Sequence, residues 1–323
     1  MEQKFALFSG TCLCLAAVQY LAQQNQLGCV VLMEAEPNPD LAQLSQILHQ
    51  QNIPVLQFSS ESEDNLLAEL DKLCVNSGLV YLFKNKLSAK IINYFAQNLV
   101  NVHASALPAY RGPMPLFWQV IHGAETIPLS LHQVTEQLDA GPIATQLEIA
   151  VHPFDTGQCV HQKVAQMLPA LLEQYFQQKA LGTLNWQQQS PLAVEKSKPQ
   201  EFYYARFVQI EDLIINWSHM TSTHIVDLAR AANGDLGGAR FHFRQGLIQL
   251  MQATRMDSDL IGIKPGTVIE LDRSKGLLIK TLDGAIRLDV VLTEQGIFDG
   301  YRFANLFGLE PGLEIQAGPQ NRY

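Results

Sequence analysis

Short apolar runs alternate with segments of helical period over the first 181 residues, and this alternation constrains the fold most. Phe5–Phe8, Gly28–Met33, Pro54–Gln57, Leu79–Phe83 and Leu99–His103 read as buried strands. Between them, Thr11–Gln24, Leu41–Gln51, Glu61–Cys74 (with Ser60 as its cap) and Ser88–Gln97 read as helices. Strands that alternate with helices predict an α/β domain on a mostly parallel sheet. Ile127–Val134 and Ile143–Val151 read as later strands. A long helix falls within Phe154–Leu181, with Val160, Val164, Met167, Leu168, Leu171 and Leu172 at helical spacing.

The texture changes after Leu181. Residues 182–205 carry Gln187-Gln188-Gln189 and two prolines, and read as a linker with little packing. Residues 206–318 read as a smaller domain. Its helix is Thr221–Ala232, capped by Thr221 or Ser222. Gly234–Gly238 follows that helix and reads as its stop, not as a phosphate cradle. Ala239–Phe243, Leu247–Ala253, Gly266–Leu271, Leu277–Leu282 and Ala285–Val291 are strands separated by turn signals, a spacing that suggests a small β-barrel.

Composition narrows the function classes. Of 323 residues, 47% are apolar and 16% charged, which excludes a disordered chain. The net charge of −9 opposes a protein that lives on nucleic-acid phosphates. The N-terminus lacks the features of a signal peptide and no apolar run reaches a membrane-span length, so a cytoplasmic protein without a membrane partner is expected. The five cysteines are odd in number and read as buried free thiols. His122, His132, His152 and His161 have no carboxylate or cysteine at metal spacing, and no metal is expected. Trp118 reads as core.

The chemistry concentrates in 99–143. Asn101 and His103 sit at i and i+2 at the end of a strand, on one face. That end of a parallel strand is where α/β folds place their sites. Asp139, in Leu138-Asp139-Ala140-Gly141-Pro142, occupies a turn that can return over the pair. An amide donor beside an imidazole suits the negative oxygen of acyl transfer. A carboxylate fixes the imidazole tautomer and helps it carry a proton. Ser105 either contacts substrate or bonds its own loop. Arg111 either grips an anion or braces the Tyr110–Pro113 loop.

Asn101-Val-His103-Ala-Ser105-Ala-Leu107-Pro108-Ala-Tyr110-Arg111-Gly112, then Gly123, then Leu138-Asp139-Ala-Gly141-Pro resembles the 10-formyltetrahydrofolate-dependent formyltransferases. That family includes methionyl-tRNA formyltransferase, the amino-sugar formyltransferases and a formyltetrahydrofolate hydrolase module. The resemblance extends through Asp212–Ser218, Lys264–Val268 and Leu282–Ala285. It implies a Rossmann-like N-terminal domain and a C-terminal barrel of the OB type. It implies Asn101, His103 and Asp139 as the catalytic trio. Asn101 and His103 would stabilise the oxyanion, and Asp139 would support His103 and assist proton removal. It implies a folate donor, 10-formyltetrahydrofolate, held by Leu82, Phe83, Lys84, Gln137, Leu138 and Gly141. Ser105, Tyr110, Arg111 and Gly112 would face the acceptor.

Four departures bear on the donor and the acceptor. Lys84 stands near the family's usual Gly, where it either alters pterin binding or reaches the acceptor or the folate tail. The loop Met33–Asp40 is short and acidic where the tRNA enzymes carry a long basic insertion. Residues Arg206–Tyr323 hold 12 basic and 14 acidic side chains, and the first 205 hold 10 and 17, so neither half suits tRNA. The turn Ala232–Ala239 also lacks the Pro/Trp of the tRNA enzymes. The expected reaction is formyl transfer to a primary amine on a small molecule, an amino-sugar nucleotide or a biosynthetic intermediate. The alternatives are methionyl-tRNA formylation, hydrolysis of the same donor, and a paralogue without turnover.

Overall fold

The structure, a computed structural model, describes residues 3–33, 38–189, 204–244, 246–257 and 260–315. The acidic loop at 34–37, the linker at 190–203 and the domain end at 316–318 lie outside these residues. The chain divides into two compact units. One comprises Met1–Pro115, Thr126–Ala150 and His161–Arg206, the other Leu116–Glu125, Val151–Val160 and Phe207–Tyr323. The second unit thus takes two stretches from the first half of the sequence.

In chain order, the first half holds β1 (Phe5–Ser9), α1 (Leu15–Gln23), β2 (Leu27–Met33), α2 (Pro39–Gln50), β3 (Val55–Phe58), α3 (Glu63–Lys72), β4 (Ser77–Val80), α4 (Ala89–Phe95), β5 (Leu99–His103), α5 (Pro115–Ile121), β6 (Thr126–Gln133), β7 (Ile143–Ala150) and α6 (Gly157–Ala180). Seven strands form one sheet in the order β3-β2-β1-β4-β5-β6-β7. The first five are parallel; β6 and β7 run antiparallel to their neighbours. This is the mostly parallel, Rossmann-like sheet expected. Every residue of β1 and β4 is buried, as a sheet covered on both faces requires. Phe8, Val31, Phe58, Leu70, Ile91 and Phe95 form part of the core on one side.

Several local expectations change. The first helix opens with a 3-10 turn, Cys12–Cys14, whose Thr11 side chain accepts from Leu13 N. Helix α3 starts after Ser62, not Ser60, and its cap residue makes no side-chain bond. Strand β4 stops at Val80, because Leu82 adopts φ +49, which no strand continues. Helix α5 was not read from the sequence; it buries all six residues Leu116–Ile121, Trp118 among them. Of the five cysteines, all free, only Cys14 and Cys29 are buried; Cys12 and Cys159 are half-buried and Cys74 is exposed.

The remaining elements are α7 (Ser222–Ala232), β8 (Ala239–Phe243), β9 (Gly246–Met256), β10 (Val268–Asp272), β11 (Gly276–Lys280), β12 (Ala285–Thr293), β13 (Gly296–Phe298) and α8 (Gly300–Phe307). Thr221 caps α7, accepting from His224 N. The five expected strands are present, and the short β13 adds a sixth. Their antiparallel path runs β10-β11-β12-β9-β8, with β13 on β12, and no pair among the described residues joins β8 to β10. Among the described residues no helix is long and apolar enough to cross a membrane.

Candidate active site

Strand β5 carries Asn101 and His103 on one face. Its antiparallel neighbour β6 sets His132 opposite Asn101 and Ser130 opposite His103. Cross-strand partners share a face, so an amide and two imidazoles converge there. Asn101 Nδ2 lies 3.0 Å from His132 Nε2 and 3.3 Å from Asp139 Oδ1. Asp139 comes from the turn between β6 and β7 and sits at φ +50, a left-handed conformation that Asp tolerates better than most residues. Its Oδ2 accepts from Gly112 N at 3.0 Å and lies 3.7 Å from His103 Nδ1. Gly112 has φ +121, and a Cβ there would fall 2.7 Å from Ala205 O, so the close approach requires glycine.

His103 is 6% exposed, and its Nε2 lies 2.8 Å from Tyr110 O. A carbonyl only accepts, so Nε2 carries the proton and Nδ1 faces the Asp139 carboxylate. Burial pushes the His103 imidazole below its ordinary value. The Asp139 charge and the Tyr110 carbonyl oppose that shift without cancelling it. The ring is therefore neutral near neutral pH, with its basic atom toward Asp139. Burial acts on Asp139 in the opposite sense, raising it. The His132 and His103 imidazoles and the Gly112 N–H outweigh this and hold the carboxyl below its ordinary value. His132 Nδ1 donates to Gln133 O at 2.9 Å. With Nδ1 carrying the proton, its Nε2 accepts from Asn101 Nδ2, and Asp139 Oδ1 lies 3.6 Å from the same nitrogen.

The other predicted residues fall in three groups. Ser105 is fully buried and bonds its own loop, donating to Ala109 O at 2.7 Å, while its carbonyl accepts from Ser130 Oγ. Arg111 is 6% exposed and directs Nε and Nη2 at Gln189 Oε1, so it braces the structure. Tyr110 contributes its carbonyl to His103 and Gly112 its N–H to Asp139. Leu82, Lys84, Gln137 and Leu138 are exposed on two loops, after β4 and after β6. Phe83 is half-buried and packs edge-on against Phe8 and Phe58. The positive φ of the first loop belongs to Leu82, so Lys84 needs no glycine-like backbone. Gly141 is buried where a Cβ would stand 1.9 Å from Gln133 O.

Sequence reading missed two members. His132 lacks metal-ligand spacing and carries no other signal along the chain, yet it touches Asn101; strand alternation carried across the β5–β6 register finds it. Gln189 was placed in an unpacked linker. Instead Gln187 exchanges two 2.8 Å backbone bonds with Ile143, and Gln189 lies against the Asp139 turn. Ala205, at the linker's other end, bonds Arg111 O and Met114 N through its backbone.

The sequence profile of the formyl transferase family matches residues 3–175, and that of the formyl transferase C-terminal domain matches residues 208–307. Among solved structures, an N-formyltransferase from Helicobacter canadensis in complex with folinic acid and dTDP-3-aminofucose is 16% identical, with a TM-score of 0.65 over 92% of this chain and 100% of that one. HypX from Aquifex aeolicus in complex with tetrahydrofolic acid is 15% identical, with a TM-score of 0.61 over 96% of this chain and 49% of its own. The chain thus spans about half the length of HypX. A sugar N-formyltransferase from Shewanella sp FDAARGOS_354 is 19% identical, with a TM-score of 0.58 over 81% of this chain and 100% of that one. At these identities the likeness is one of fold.

Proposed function

The chain belongs to the formyl transferase family, matched in both its N-terminal and C-terminal regions, and on that premise we propose that it moves a formyl group from 10-formyltetrahydrofolate to a primary amine of a small-molecule acceptor. The convergence of Asn101, His103 and Asp139, with Asp139 3.3 Å from the amide and 3.7 Å from the imidazole, supports this most directly.

The residues present fit a folate. The loop after β4 and the turn after β6 offer exposed apolar side chains, Leu82 and Leu138. Among the described residues the main-chain groups of Leu82–Lys86 have no hydrogen-bond partner. Apolar faces with open amide groups are what a flat ring with an amide-like edge requires. The donor supplies a formyl carbon on nitrogen. Asn101 Nδ2 donates to the formyl oxygen as it gains charge, giving up its longer bond to Asp139. The His103 Nε2–H is held by Tyr110 O, which leaves Nδ1 to take the proton of the attacking amine, and the Asp139 carboxylate that Nδ1 faces then steadies the imidazolium. The bond from carbon to the amine forms, the bond to the donor nitrogen breaks, and the proton passes to that nitrogen.

The acceptor class rests on the acidic charge of both halves and on the amino-sugar nucleotide of the Helicobacter canadensis complex. The folate reading is tested by titrating the protein with folinic acid. Saturable binding is expected, weakened about tenfold in Leu138→Asp, which is about 1.4 kcal/mol of apolar contact. Absence of binding, or equal binding by that variant, contradicts it.

A further inference from the structure

The side-chain amide of Gln189 makes four polar contacts. Oε1 lies 3.0 Å from Arg111 Nε and 2.5 Å from Arg111 Nη2. Nε2 lies 2.9 Å from Asp139 O and 2.7 Å from Gly141 O. A carboxamide has two acceptor lone pairs and two N–H donors, and here all four are used. Turning it over would set N–H against N–H and oxygen against oxygen, so the partners fix its orientation. The segment that delivers it is anchored two residues earlier by the Gln187–Ile143 bridge. Gln189 therefore joins two loops. One presents Gly112 N to the Asp139 carboxylate; the other carries Asp139 in its left-handed conformation, which only surrounding contacts maintain.

Resting on the formyl-transfer reading above, we propose that Gln189 is a positioning residue for that reaction: it clamps the main chain at Asp139 and Gly141 to Arg111, so that the carboxylate stays among Asn101, His103 and His132. Four charged or titratable side chains meet there: His103 from β5, His132 from β6, Arg111 from the loop after β5, and Asp139 itself. Releasing the clamp lets the carboxylate drift from His103. The negative charge that supports the imidazolium form is then lost, and the His103 titration midpoint falls.

Gln189→Ala removes the clamp. Gln189→Met keeps much of its length and adds no charge, but has neither the acceptor that Arg111 uses nor the donors that the two carbonyls use. Three readouts apply: kcat and donor KM against pH, the thermal midpoint, and NMR titration of the His103 and His132 imidazoles without substrate. Both variants are expected to lose about 10- to 100-fold in kcat. The kcat loss should exceed any rise in donor KM, and the His103 midpoint should move to lower pH. Should the alanine variant not fold, the methionine variant carries the test. An unchanged His103 titration and kcat–pH profile in Gln189→Met would overturn the proposal, as would a kcat loss that only tracks loss of folded protein. A wild-type protein without transfer activity would sink the reaction reading instead, and the imidazole titrations would still decide the clamp.

Discussion

Asp139 and His103 lie 3.7 Å apart and are shifted in the same direction for different reasons. Burial disfavours the charged imidazole, so His103 falls below about 6.5, the ordinary histidine value. Asp139 is held ionised by its imidazole and N–H neighbours, against the burial that opposes them, and falls below the usual carboxylate range. Both depressions stabilise the folded state at neutral pH, and both contributions disappear in acid. The His103 contribution is complete above about pH 6.5 and is lost as pH drops through its lower folded value. The Asp139 contribution is lost further down, below about pH 3.9. Thermal melts of wild type and His103→Gln between pH 7 and pH 5 check this. The wild type should lose more stability over that interval than the variant; parallel losses would remove His103 as the cause.

At the scale of elements, the site is a product of the β5–β6 pairing and the turn that follows. Gly141 shows how tightly that turn is built, since a Cβ there would overlap Gln133 O at 1.9 Å. Gly141→Ala should lower stability in urea by about 1–3 kcal/mol, as overpacking does, and reduce transfer because Asp139 is two residues away. A variant with wild-type stability would show that the turn yields freely. Strand alternation and the Asn101–His103 spacing were legible in the sequence, because period 2 places both on one face. Strand β4 was overextended because Tyr81-Leu82-Phe83 is as apolar as a strand; only the backbone at Leu82 ends it. His132 was overlooked because its partner lies across a strand register, not along the chain. Gln189 carried no signal, since it ends a run of three glutamines and its partners are an arginine and two carbonyls distant in sequence.

The whole molecule pairs a mostly parallel sheet that holds the candidate site with a second unit built on an antiparallel sheet. Both family profiles match, and the acceptor proposed within the family rests on the charge. A charge of −9, with 12 basic against 14 acidic side chains from Arg206 to Tyr323, is the ground for proposing a small acceptor over a tRNA backbone. The central claim, transfer of a formyl group to a small amine, is tested most directly by incubating the purified protein with 10-formyltetrahydrofolate and following tetrahydrofolate release. The parallel acceptors are amino-sugar nucleotides, other small primary amines, aminoacylated initiator tRNA, and none. Release should require a small amine, yield its formamide, and fall by about 10²-fold or more in Asn101→Ala and His103→Ala. Release that depends only on charged tRNA, proceeds equally without acceptor, or survives both substitutions would contradict it.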